Sequence, residues 1–222
     1  MLFRSGGTTP STPKEPEVVE PTQPTEPITP VEPTPAVMSY DDVASDDWFY
    51  DSVKYVYDNE LMNGISESEF GPSSNLTRAM LVTILYRAEG EPEVSFENIP
   101  FGDIAIGSYY EEAVIWAAEK GIVSGYDANK FAPNSNITRQ QMAAIMYRYA
   151  KYKGYDASVG KDTNILSYDD ASDVSEYAMA AMQYAVGSGL INGKTPTTLN
   201  PSDNATRAET SAILKRFFEA NK

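Results

Sequence analysis

The chain has 222 residues, 41% of them apolar, a formal net charge of −15, and neither Cys nor His. Those absences exclude disulfides, thiol nucleophiles, Ser–His triads, histidine proton shuttles and ordinary structural zinc. So acidic a surface repels nucleic-acid phosphates and anionic lipid headgroups, and no run of about 18 apolar residues is present, so neither nucleic acid nor membrane insertion is expected.

Met1 to Gly7 has no apolar core of its own and does not read as a secretory signal peptide. An exported parent protein would carry its signal elsewhere. Residues 8–37 are a tract of Pro, Thr, Glu and Val that holds nine of the 15 prolines. Proline removes backbone donors and fixes φ, so the tract cannot form helix or ladder. Segment 1–38 is therefore expected to be a disordered, polyproline-II-like linker outside the packed module.

From residue 39 onward the chain repeats itself three times. Sixteen residues after Trp48, Tyr109 and Tyr177 come Gly64, Gly125 and Gly193. Eight further on stand Pro72, Pro133 and Pro201, and five beyond those Thr77-Arg78, Thr138-Arg139 and Thr206-Arg207. Upstream, each copy opens with an aromatic and an Asp: Tyr40-Asp41-Asp42-Val43, Phe101-Gly102-Asp103-Ile104 and Tyr168-Asp169-Asp170-Ala171. The expected units are 39–89, 100–151 and 167–222.

Each copy reads as helix, loop, helix. The first helices run roughly Trp48–Leu61, Tyr109–Lys120 and Tyr177–Gly187, with Asp47, Ser108 and Ser175 as N-cap candidates. Gly121 and Gly189 fit C-terminal stops, whereas copy one has Glu60 there. Each loop carries an apolar plug, Phe70, Phe131 or Leu199. The second helices start at the Thr and carry apolar faces such as Leu81, Ile84 and Leu85. A lone unit of this size cannot bury enough apolar surface to stand alone, so the three copies are expected to share one core.

The Thr-Arg step carries the chemistry. Thr206-Arg207-Ala208-Glu209 is a full capping box, Thr138-Arg139-Gln140-Gln141 an acceptable one, and Thr77-Arg78-Ala79-Met80 lacks its second half. An Arg at the first helical position adds a bidentate fork beside N–H groups that already favour an anion. Each copy thus offers an anion receptor, or else the Args tie repeats together. A second Arg recurs nine residues on, at Arg87, Arg148 and Arg216. Nine residues turn a helix through about 900°, so this Arg faces away from the first and reads as structural. Trp48, Tyr109 and Tyr177 fit either stacking on a sugar ring or core packing where each helix begins.

These residues resemble the S-layer homology family. Its repeat combines an aromatic-x-Asp opening, a loop with Gly and Phe-x-Pro, and an Ile-Thr-Arg-Ala-Glu helix start, best matched by Ala205 to Glu209. The resemblance implies an all-α module, three-lobed and pseudo-threefold, around a central helical bundle. It implies grooves that bind an anionic secondary cell wall polysaccharide, commonly pyruvylated, at an extracellular bacterial wall. It makes Arg78, Arg139 and Arg207 the main contacts, with Met80 and Gln140-Gln141 as departures. The expected ligand-binding set is those three Args with Trp48, Tyr109 and Tyr177 and the loop glycines Gly64, Gly125 and Gly193. No catalytic residue, metal or cofactor is expected, and cargo would join through the N-terminal linker. A paired-carboxylate glycosidase could nominate Glu111-Glu112, or Glu67 and Glu69, but neither pair recurs across copies. A protein–protein assembly module of a surface layer is the alternative.

Overall fold

The computed structural model describes residues 38–97 and 99–222. The linker expected over 1–38 lies outside them except for Met38, which is partly buried against the core. Among the described residues there are seven α-helices and no strand. Repeat one contributes α1 (Tyr50–Asp58) and α2 (Arg78–Ala88). Repeat two contributes α3 (Glu111–Glu119) and α4 (Arg139–Tyr152). A single turn, α5 (Val159–Asp162), sits in the connection that follows, and its Gly160 lies against Tyr184. Repeat three contributes α6 (Met179–Gly187) and α7 (Arg207–Ala220). Among the described residues no helix is long and apolar enough to cross a membrane.

The packed unit is not the sequence repeat. α1 packs on α7, α3 on α2, and α6 on α4. Each first helix therefore docks on the second helix of another repeat, the preceding one in cyclic order. The reason lies in length and amphipathicity. A nine-residue helix is too short to persist alone and must cover its apolar stripe, such as Val53 and Val56 of α1, with a neighbour. The result is a shared core in which the plugs Phe70, Phe131 and Leu199 are fully buried.

At the centre the three repeats close a ring of backbone hydrogen bonds. The N–H of Leu76 donates to Ala205 O at 2.9 Å, that of Ala205 to Ile137 O at 3.0 Å, and that of Ile137 to Leu76 O at 2.9 Å. All three side chains are completely buried. The ring sits just before the Thr of each second helix, so α2, α4 and α7 leave one point together. Their far ends meet again. Tyr149 lies 5.6 Å from Phe217, ring to ring, and donates to Glu89 Oε1 at 2.6 Å. Lys153 joins the same carboxylate at 2.9 Å. Burial and the Glu89 carboxylate hold the Tyr149 phenol far above its usual range.

The second helices are capped as their sequences suggest. Thr138 with Gln141 and Thr206 with Glu209 form complete capping boxes. Thr77 accepts only from the Met80 N–H, because Met80 has no group to return. Thr206→Ala is expected to remove about 1 kcal/mol of stability, the usual loss for an N-cap. A chemical-denaturation midpoint equal to that of the parent chain would count against it.

The first helices begin differently from expectation. Their N-caps are Phe49, Tyr110 and Ala178, none with a side-chain cap bond. Asp47 instead accepts from the Ala44 N–H at 2.8 Å, and the Ser108 hydroxyl is buried without a partner among the described residues. A turn intervenes between these residues and the helix, and that turn decides where the aromatics point.

At their C-termini, Gly121 and Gly189 take left-handed φ of 67° and 71°, and Glu60 adopts φ 56° at the equivalent place. A left-handed L-residue costs about 1–2 kcal/mol, and glycine loses about 0.5–1 kcal/mol of that advantage to entropy. Glu60→Gly is therefore expected to stabilise the module by about 0.5–1 kcal/mol, raising the melting temperature by about 2 °C. A lower melting temperature would contradict the argument.

Candidate functional site

The loop of each repeat is held from two sides. From its own repeat, an Asp accepts two consecutive backbone N–H groups. Asp42 takes Phe70 and Gly71 at 2.8 and 2.7 Å, Asp103 takes Phe131 and Ala132 at 2.8 and 2.7 Å, and Asp170 takes Leu199 and Asn200 at 2.8 and 2.6 Å. This is the work of the Asp two residues after the opening aromatic. From the preceding repeat comes the helix-start Arg. Arg78 Nε donates to Phe131 O at 2.8 Å and Nη2 to Ser124 O at 3.3 Å. Arg139 repeats the pattern on Leu199 O and Asn192 O at 2.9 and 2.7 Å. Arg207 closes the circle on Phe70 O and Asn63 O at 2.8 and 2.6 Å.

The three Args are only 5%, 5% and 6% exposed, so they do tie repeats together, through carbonyls rather than carboxylates. Arg78 lies 4.6 Å over the Phe131 ring and Arg207 4.5 Å over Phe70, a cation–π contact that repeat three cannot offer with Leu199. Burial lowers the pKa of all three guanidiniums, and they remain charged because arginine is not deprotonated in proteins. Nε and Nη2 are committed. Among the described residues Nη1 makes no hydrogen bond.

The helix N-termini do not act as anion sites. The N–H groups of Arg78 and Ala79 donate to Ser135 O and Pro133 O, both at 3.0 Å. Arg139 and Gln140 do the same to Asp203 O and Pro201 O, and Arg207 and Ala208 to Ser74 O and Pro72 O. The third N–H is taken by the cap. The first turn is thus saturated by the neighbouring loop, which corrects the sequence argument: only the guanidinium is left to meet a ligand.

Three grooves open beside these Args. The first groove, about 240 Å³, lies at the Asn63-Gly64 loop, with Arg207, Arg87 and Tyr109. The second, about 290 Å³, lies at Ser124-Gly125, with Arg78, Arg148 and Tyr177. The third, about 330 Å³, lies at Asn192-Gly193, with Arg139, Arg216 and Trp48. Each groove draws on all three repeats: one gives the loop and second helix, another the helix-start Arg, the third the aromatic.

The aromatics are not core residues. Trp48, Tyr109 and Tyr177 are 66%, 60% and 56% exposed. The turn ahead of each first helix points them outward, while the next residue turns in: Tyr110 is 6% exposed and Ala178 fully buried. The second Arg keeps partners in two of the repeats, Arg87 standing 3.8 Å from Glu91 and Arg216 donating to Leu190 O at 2.8 Å. Within its own repeat it does face away from the helix-start Arg. The groove, however, pairs it with the Arg of the preceding repeat, an arrangement invisible without the interlocked packing. The position after the Thr-Arg pair by two, Met80, Gln141 or Glu209, lines the same grooves.

The loop glycines are needed for closeness. A Cβ on Gly64 would sit 2.6 Å from Glu69 O and from the Tyr40 ring, and on Gly193 2.7 Å from Thr198 O. Gly64 N–H also donates to the Tyr40 hydroxyl at 2.8 Å. Their absent side chains let the loop turn back on itself against the opening aromatic.

Against known proteins, residues 39–79, 100–143 and 167–211 each match the S-layer homology domain. The chain is 34% identical over 179 residues to an endoglucanase of Bacillus sp. (strain KSM-635), covering 81% of this chain and 18% of that protein. It is 33% identical over 175 residues to the surface-layer 125 kDa protein of Lysinibacillus sphaericus, covering 76% and 14%. A cellulosome-anchoring protein of Acetivibrio thermocellus is 25% identical over 163 residues, covering 72% and 35%. The chain thus spans a small part of each of these relatives.

Proposed function

The chain belongs to the S-layer homology domain family, and on that premise we propose that it is a noncatalytic module that fixes an exported protein to a bacterial cell wall. The relatives support this reading by their diversity. An endoglucanase, a surface-layer protein and a cellulosome-anchoring protein have the matched segment in common, as expected of an anchor serving different cargoes. The cargo here would join through the proline-rich N-terminal segment.

The ligand in this reading is an anionic secondary cell wall polysaccharide, with a pyruvate ketal supplying the carboxylate. One observation carries it: in a chain of net charge −15, each of three equivalent grooves gathers two arginines and an exposed aromatic. A carboxylate would take the free Nη1 of Arg78, Arg139 or Arg207 and the second Arg of the groove, a charge-assisted contact. The apolar C–H face of the sugar would lie on Trp48, Tyr109 or Tyr177. Gly64, Gly125 and Gly193 would let the ring approach the loop backbone.

The test is sedimentation of the chain with purified sacculi before and after chemical removal of the secondary polymer. Binding that disappears with the polymer supports the reading. Equal binding to both preparations overturns it. Equal binding to pyruvylated and unpyruvylated polymer overturns the carboxylate assignment alone.

A further inference from the structure

The three grooves share one plan but not one charge environment. In the third groove, Lys194 is held 3.3 Å from Asp203 and 3.6 Å from Glu209, and Glu209 itself lines the groove. Arg216 there is engaged, donating through Nη1 to Leu190 O at 2.8 Å. In the first groove, Arg87 stands 3.8 Å from the Glu91 carboxylate. In the second groove, Arg148 has no hydrogen-bond or ion-pair partner among the described residues; no carboxylate is among the residues that line it, as none is among those of the first groove.

Two further features single out the second groove. The Glu209 position, Met80 in the first groove, is occupied by Gln141, which donates to the Tyr126 hydroxyl at 2.8 Å and so presents an oriented polar rim without a charge. Tyr126, 56% exposed, joins Tyr177 as a second aromatic wall and lies 4.9 Å from the Arg78 guanidinium. Arg78 is also the loosest of the three ties, its Nη2 bond being 3.3 Å against 2.7 and 2.6 Å for Arg139 and Arg207. Apart from burial, Glu209, Asp203 and Asp170 favour the charge on Arg139, whereas around Arg78 Tyr126, Tyr177 and Asp103 favour it and Arg148 opposes it.

We infer that the second groove is the principal glycan site of this chain, with Arg148 as its uncompensated cation and Gln141 in place of a repelling carboxylate. The inference rests on the proposed glycan-binding role. It reverses the order suggested by motif quality, in which Arg207 and its intact Thr-Arg-Ala-Glu came first. The glutamate that completes the capping box of Arg207 sets its negative charge in another groove, the third, beside Arg139, while the groove of Arg207 itself carries Met80 at that position.

The experiment titrates the full chain calorimetrically with a methyl glycoside bearing a pyruvate ketal, and repeats each comparison on polymer-bearing sacculi. Arg148→Gln is expected to weaken the tightest site about ten- to hundredfold, the range of one charge-assisted contact. Arg148→Lys recovers part of it. Arg87→Gln and Arg216→Gln shift the tightest site by no more than about threefold, and Glu209→Gln strengthens a weaker one. Melting temperatures of all variants are compared with the parent, since Arg148 is partly exposed and ties nothing. A tightest site unmoved by Arg148→Gln, or lost instead in Arg87→Gln or Arg216→Gln, overturns the inference while leaving the anchoring role standing. If the parent chain binds sacculi but not the glycoside, the ranking is read from the sacculi by the same criteria. A parent chain that binds neither overturns both.

Discussion

Arg207→Ala is expected to lower the melting temperature of the chain by about 8–16 °C. The substitution removes two charge-assisted hydrogen bonds, to Phe70 O and Asn63 O, from a side chain that is 6% exposed. Each such bond is worth about 1.5–3 kcal/mol, and the carbonyls left behind are part-buried, so a total near 4 kcal/mol follows. An exposed ion pair would give under about 1 kcal/mol. The transition should remain single, because Arg207 joins repeat three to repeat one and no repeat has a core of its own. Arg207→Lys should restore part of the loss, since an ammonium reaches one carbonyl but lacks the planar fork. A shift below about 2 °C for Arg207→Ala would show that the tie contributes little. Wall affinity measured per folded molecule separates this structural role from any contact made by Nη1.

The second large effect is expected from Gly125→Ala. A Cβ there would lie 2.5 Å from Asp127 O, 2.6 Å from Lys130 O and 2.7 Å from the Phe101 ring. Two of these are backbone atoms of a tight turn, and Lys130 O already accepts from the Tyr126 N–H at 2.7 Å. They cannot withdraw without opening the loop that Arg78 and Asp103 hold. About 3 kcal/mol of destabilisation is expected, the upper range for overpacking, or about 6–12 °C in melting temperature. Gly90→Ala is the control for exchanging a glycine where a Cβ meets nothing within 4 Å, although its φ of 75° makes that exchange mildly strained as well. If Gly125→Ala melts no lower than Gly90→Ala, the close approach is not what the glycine provides.

Local features were legible in the sequence because their causes are local. The capping boxes at Thr138 and Thr206, the incomplete one at Thr77, and the stops at Gly121 and Gly189 depend on residues within one turn of each other. The plugs Phe70, Phe131 and Leu199 announced themselves by recurring at fixed spacing. What escaped depends on which repeat meets which. Arg87, Arg148 and Arg216 face away from the helix-start Arg of their own repeat, and only the cyclic docking brings each beside the Arg of another. The free helix N-termini were expected on sound local grounds, yet the neighbouring loop fills them with Ser135 O, Asp203 O and Ser74 O. Trp48, Tyr109 and Tyr177 fitted a core as well as a surface, since the turn that swings them outward has no strong sequence signature. The single-turn α5 is too short for any periodicity to mark it.

The ring through Leu76, Ile137 and Ala205 has a consequence for chain length. Its hydrogen bonds run one way around, each repeat donating to the preceding one, and it closes at three members. A protein with one such repeat would satisfy the same donors and acceptors in the same way as a closed homotrimer, a heterologous contact that the rotation completes. Two linked repeats would leave a donor and an acceptor exposed at the break, an open seam inviting a third repeat from another chain. Fusing the three into one polypeptide converts an association that depends on concentration into folding that does not. It also frees the copies to diverge, which is how Met80, Gln141 and Glu209 come to occupy one position in three grooves of a single molecule.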